Sequence, residues 1–215
     1  MLCDFGRWVN TDKLCINDVP VELINIEMAG QFRIHLTIAI YGGLILSAPY
    51  ILWELYRFIM PALKSNERQY SKGMVFYTTF LFALGILFGY FMIVPLTINF
   101  LGSYSVSSEV LNQINLKSYV GIITSLVFAT GLIFEMPILV YFLSKVGIVT
   151  PSFMRKYRKH ALIIILIVSG IITPPDIFSQ IMVSIPMYIL FEVSIFISAR
   201  IERQRDAREA EEAAT

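Results

Sequence analysis

Long apolar runs separated by short polar stretches set the pattern of this chain. Five of them read as membrane-spanning helices, over about residues 34–56, 74–101, 118–143, 158–173 and 177–199. A hydrocarbon core ~30 Å thick needs about 20 apolar residues at ~1.5 Å each. The fourth run is short. Its uninterrupted apolar part, Ala161–Ile172, covers only ~18 Å, so either its flanking basic residues snorkel or the turn after it lies below the membrane surface. Residues 1–33 hold no apolar run and read as an extracytoplasmic loop or tail, and the charged stretch 200–215 reads as a cytoplasmic tail that frays or is disordered. The expected fold is all-α, a polytopic membrane helix bundle with five spans.

Four of the spans contain an internal proline, Pro49, Pro95, Pro137 and Pro186. Each removes an N–H and leaves a carbonyl that neighbours must satisfy. Bent helices around a short one suggest a curved, cup-like wall, although prolines are also commoner in membrane helices than in soluble ones. Gly85 and Gly89 have the small-xxx-small spacing that permits close helix approach, a weak motif by itself.

Within Tyr119–Phe142 the only charge is Glu135. A carboxylate at bilayer centre costs about 2.5–3.5 kcal/mol on insertion scales, and the surrounding Leu, Ile, Phe and Val return ~4–8 kcal/mol, so the segment still inserts. Pro137, two residues on, deprives the Ile133 carbonyl of its helical partner. Two readings stand: Glu135 lines a wet groove and meets a polar or cationic partner, or it is a structural acid hydrogen-bonded inside the bundle. Glu192 lies near a span end and can snorkel, and Glu54 beside Arg57 at i+3 reads as an interfacial ion pair.

Composition supports a membrane protein, with 56% hydrophobic and 15% charged residues against about 25% charged in soluble proteins. A net charge of +1 argues against a nucleic-acid surface. Thirteen of the 17 basic residues fall in the loops after the first and third spans and after the last, which makes that side cytoplasmic. Residues 1–33, with a net charge of −2, are then outside without an upstream helix to carry them, and a further N-terminal span is expected to precede them. Cys3 and Cys15 fall in this stretch, either as two inert thiols, the favoured reading, or as a disulfide.

The loop after the first span holds one acid, Glu67, among Arg57, Lys64, Arg68 and Lys72. It reads either as an ordinary solvated ion pair or as a carboxylate placed to receive a guanidinium bidentately. Asp176, after Pro174 and Pro175, is a candidate cap for the last helix. If the short helix draws this turn inward, Asp176 and Gln180 present polar groups to a cavity from the outer side. No nucleophile elbow, zinc motif or nucleotide loop is present, so no catalysis, metal or cofactor is expected.

Taken in order, SAPYILWELYRFIMPALKSNER, FGYFMIVPL, LKSYVGIITSLVFATGLIFEMPILVYFLSKVGIVTPSFMRKYRKHA and ITPPDIFSQIMVSIPMYILFEVSIFIS cover about residues 30–200. Together they resemble the TatC family, the multi-spanning receptor subunits of the twin-arginine protein translocase. The resemblance implies six helices in a cup with both termini cytoplasmic, of which this sequence carries the second to sixth. The first helix and the acidic stretch before it have no counterpart here. It also implies that Glu67 binds the paired arginines of a signal peptide, that Phe58 and Pro61, with Arg68 beside them, shape that site, and that Glu135 belongs to the concave intramembrane face with Gln180. Pro174, Pro175, Asp176 and Gln180 would belong to a hairpin that contacts single-span partners. The implied partners are TatA- and TatB-type subunits, twin-arginine signal peptides of folded cargo, membrane lipid and further copies of the chain, in a bacterial inner membrane and driven by the proton motive force. The alternative is a proton- or cation-coupled small-solute transporter built on Glu135, which would favour an internal repeat; none is visible.

Overall fold

A computed structural model describes residues 23–59, 71–104, 113–173 and 177–213. The chain begins with β1 (Leu23–Ile24) and α1 (Gly30–Ile59), followed by α2 (Ser71–Phe88), a π-helical turn (Gly89–Ile93) and α3 (Val94–Ser103). Then come β2 (Ile114–Asn115), α4 (Leu116–Phe134), α5 (Met136–Lys145), α6 (Pro151–Lys156), α7 (Arg158–Ile172) and α8 (Ile177–Ala213). Among the described residues, four helical stretches are long and apolar enough to cross a membrane: Gly30–Phe58, Val75–Ser103, Leu116–Lys145 and Gln180–Ala207. The 15 residues of α7 cover ~22 Å and fall short of a straight span. α8 runs unbroken through the charged stretch expected to fray.

The prolines decide where helices break. Pro95 cannot donate to the carbonyl one turn back, and its ring would crowd it. The chain widens there into the π-helical turn, in which the Val94 N–H reaches the Gly89 carbonyl. Pro95 then sits in the first turn of α3, where a missing N–H costs nothing. Pro137 occupies the equivalent place in α5, after a break at Glu135. Pro49 and Pro186 lie inside helices that continue through them.

α2 and α4 cross at small residues. A Cβ on Gly85 would stand 2.9 Å from the Gly131 Cα and 2.9 Å from the Phe134 side chain. One on Gly131 would meet Phe82 at 2.9 Å, and one on Gly89 would collide with the Thr130 hydroxyl. The weak glycine spacing read from sequence is thus a real contact: backbones approach closely enough for dispersion to hold two apolar helices together where lipid offers no hydrophobic drive. Ile93 and Val94, Leu126 and Val127, Ile165, and Val183 and Met187 form the core where the π-turn, α3, α4, α7 and α8 meet. α5 packs along α8, where the buried Ser144 hydroxyl donates to that of Ser198 at 2.7 Å. Outward faces carry exposed Leu46, Phe76, Ile171 and Phe196, as lipid contact requires.

The segment before α1 is clasped to the start of α4. β1 pairs parallel with β2, Leu23 opposite Ile114. The Asn115 side chain caps α4 by accepting the Lys117 N–H at 3.0 Å. Glu27 then takes Lys117 Nζ at 3.0 Å and Arg33 at 3.1 Å. The hydrogen bond from Lys117 holds the Glu27 carboxyl below its ordinary range. A depressed folded pKa means that the clasp contributes fully above the unfolded carboxylate pKa and loses its contribution as pH falls through the folded value.

Two outcomes follow. In detergent, Gly85→Leu lowers the thermal-unfolding midpoint by the equivalent of about 1–3 kcal/mol, whereas Gly42→Leu, where an added Cβ meets nothing within 4 Å, leaves it in place. Acid titration of the thermal midpoint exposes an acid-range loss of stability that Glu27→Gln reduces; an identical profile in the variant contradicts the clasp.

Candidate functional site

Glu135 sits at the junction of α4 and α5, one turn beyond the Gly131 crossing. Phe134, its neighbour, fills the space beside Gly85 and tilts against Phe88 at 5.6 Å between ring centroids. The break turns the Glu135 N–H back on the Ile133 and Leu132 carbonyls. Its own carbonyl accepts from Ile138 at 3.0 Å and Leu139 at 3.1 Å. The carbonyl that Pro137 was expected to orphan therefore faces a local N–H. The side chain is different: Glu135 is 7% exposed, and among the described residues its Oε1 has no hydrogen-bond partner. A buried carboxyl oxygen left unmatched costs stability, as a group kept for a partner or a function does. A cavity of about 510 Å³ lies elsewhere, between the ends of α3 and α4 with Ile98, Leu101, Tyr119 and Ile122 in its walls, and Glu135 is not among them.

Gln180 faces the bundle. Its Nε2 donates to the Leu166 carbonyl of α7 at 2.8 Å, and Gly170 leaves the room, since a Cβ there would lie 3.1 Å from that nitrogen. α7 ends with the Thr173 N–H and hydroxyl both on the Ser169 carbonyl. Pro174, Pro175 and Asp176, which complete the predicted hairpin, lie outside the described residues.

At the other end of the bundle, Phe58 stands 83% exposed on the last turn of α1. Tyr56, on the same turn, is buried and tilts against Phe142 of α5 at 5.7 Å. This pins the turn that carries Phe58, and Glu54 pairs loosely with Arg57 at 3.8 Å. Pro61, Glu67 and Arg68 lie outside the described residues, as do Cys3 and Cys15.

Sequence reading missed one constellation. Arg158, the first residue of α7, donates to Glu192 of α8 at 2.7 Å, and the Tyr188 hydroxyl donates to the other Glu192 oxygen at 3.2 Å. Glu192 is thus a fastener between the two helices of the hairpin and not only a snorkelling acid. Tyr188 and Glu192 at i+4 were a visible signal; the arginine 34 positions away was not.

The model of the family described as TatC, Sec-independent protein translocase protein, matches residues 6–186. The chain belongs to the TatC family. A TatC from Blattabacterium sp. subsp. Periplaneta americana is 43% identical over 185 residues, covering 86% of this chain and 70% of that protein. One from Helicobacter pylori strain J99 is 34% identical, covering 92% and 79%. The fold is similar to a crystal structure of the twin-arginine translocase receptor TatC in DDM, with a TM-score of 0.75, 34% identity, and 85% of this chain and 82% of that one covered. The chain is therefore a multi-pass membrane component of a Sec-independent protein translocase, not an enzyme, and the solute-transporter alternative gives way.

If Glu135 Oε1 is unmatched inside the bundle, Glu135→Leu raises the thermal midpoint in detergent by the equivalent of about 1–3 kcal/mol. A lower midpoint would instead mark a structural acid with a bond to lose.

Proposed function

We propose that this TatC-family chain is the signal-peptide receptor and core subunit of a twin-arginine translocase in the bacterial cytoplasmic membrane, with its C-terminus cytoplasmic. Its partners are TatA- and TatB-type single-span subunits, twin-arginine signal peptides of folded cargo, and further copies of itself within the complex, and export is driven by the proton motive force. The observation that carries this reading is the match through residues 6–186 together with the fold shared with a solved twin-arginine translocase receptor.

The roles divide by depth. Glu67, in the loop after α1, receives the guanidinium pair. A carboxylate accepts a planar fork of N–H donors bidentately, which an ammonium does not imitate. Phe58, on a turn fixed by Tyr56 against Phe142, offers exposed aromatic surface beside that loop, with Pro61 and Arg68 shaping its course. Inside the membrane, Glu135 and Gln180 supply the polar face, and the Pro174–Asp176 turn meets the single-span partners.

Glu67→Ala lowers affinity for a twin-arginine signal peptide by about 10- to 100-fold, the loss of a charge-assisted hydrogen-bonded pair. Export of a folded reporter falls with it. Unchanged binding and export in membranes where the variant accumulates normally would sink the role of Glu67.

A further inference from the structure

We propose that the corner between α6 and α7 is a docking surface for the headgroups of anionic phospholipids in the cytoplasmic leaflet. This rests on the reading that the face carrying this corner is cytoplasmic.

From Lys145 to His160 the chain holds five Lys and Arg residues and no acid. Arg158 is spent on Glu192. Arg155, Lys156 and Lys159 are exposed, and none of the three has an ion-pair partner among the described residues. Glu202, an acid α8 brings to this side, lines a groove with Arg205 and Ser198 of α8 and with Thr150 and Pro151 at the start of α6, not with the three exposed cations. The placement is also electrostatically adverse: Arg158 and Lys159 stand in the first turn of α7, at the positive end of its dipole, and no side chain caps that end. Such a cluster calls for negative charge from outside the chain.

The aromatic residues say where it comes from. Phe153 and Tyr157 pack at 4.7 Å and Tyr157 and His160 at 5.4 Å between ring centroids, with Lys156 Nζ 6.0 Å from the Tyr157 centroid. Phe153 is exposed, as are Val146 and Ile148 in the connection that leads into α6. Exposed aromatics and aliphatics interleaved with free cations fit the headgroup level of a bilayer. α7 starts at this corner and is too short for a straight span, so the corner is drawn to the interface. A signal peptide carrying paired arginines would be repelled, leaving the lipid phosphate as the matching partner. Docked headgroups would also fix the depth of the α7–α8 hairpin, through Arg158 and Glu192.

The test uses the purified chain in vesicles of phosphatidylglycerol and phosphatidylcholine with both leaflets alike, so the assignment of the cytoplasmic face does not enter; that face is read separately by labelling engineered cysteines in intact cells. Native mass spectrometry measures which lipids stay bound. The wild type retains phosphatidylglycerol preferentially. Each basic residue at an anionic surface is worth about fivefold, so Lys156→Gln with Lys159→Gln lowers the preference by about 25-fold. Lys156→Arg with Lys159→Arg keeps it, as does Arg200→Gln with Arg203→Gln on α8. No preference in the wild type, or an equal loss in the α8 pair, overturns the proposal. So does a loss of export without any change in bound lipid, which would point to an acidic protein surface instead.

Discussion

A hydrocarbon core offers no water, so every backbone N–H and carbonyl that a proline disturbs must find its partner inside the protein. That constraint shapes this chain more than any single side chain. At Pro95 the answer is a π-helical turn, in which the Val94 N–H reaches back to Gly89. At Pro137 it is a helix break, in which the Glu135 N–H folds back on the preceding carbonyls. The second solution does more than satisfy backbone: it fixes the place of the lone carboxyl of α4 and α5, buried with one oxygen unmatched among the described residues.

Packing then holds that geometry. Lipid tails are as apolar as the helices, so association depends on close approach and a few interhelical bonds. Gly85, Gly89 and Gly131 let α2 ride against α4, and Phe134 fills the space beside them. Ser144 and Ser198 join α5 to α8, and Arg158 and Glu192 join α7 to α8. Tyr56 against Phe142 carries the order outward to the turn bearing Phe58. The path from the intramembrane acid to the proposed recognition loop is therefore continuous through α5.

Much of this was legible in the sequence, because membrane helices announce themselves by apolar runs and a charge among them is conspicuous. Glu135 needed only its isolation to be found, and the shortness of α7 only a count of residues. The two-residue strand pair and the clasp of Glu27 on Lys117 were not legible, since the partners lie 90 positions apart. Nothing near Tyr56 in the sequence announces its partner; only the fold brings Phe142 over it. Gln180 was visible as a polar group early in the last span, but not the Gly170 notch that lets its amide reach a carbonyl of α7. Prolines signalled disruption without saying which remedy the backbone would take.

In the proposed function this scaffold presents the end of α1 that bears Phe58 to paired arginines. The most direct measurement places a photoreactive residue at position 58 in membranes containing the chain and offers signal peptides that differ only in their arginine pair. The expected result is a crosslink to the Arg-Arg peptide that disappears with Lys-Lys, because an ammonium cannot reproduce the planar fork. Equal crosslinking of the two peptides, or none to either, would contradict it.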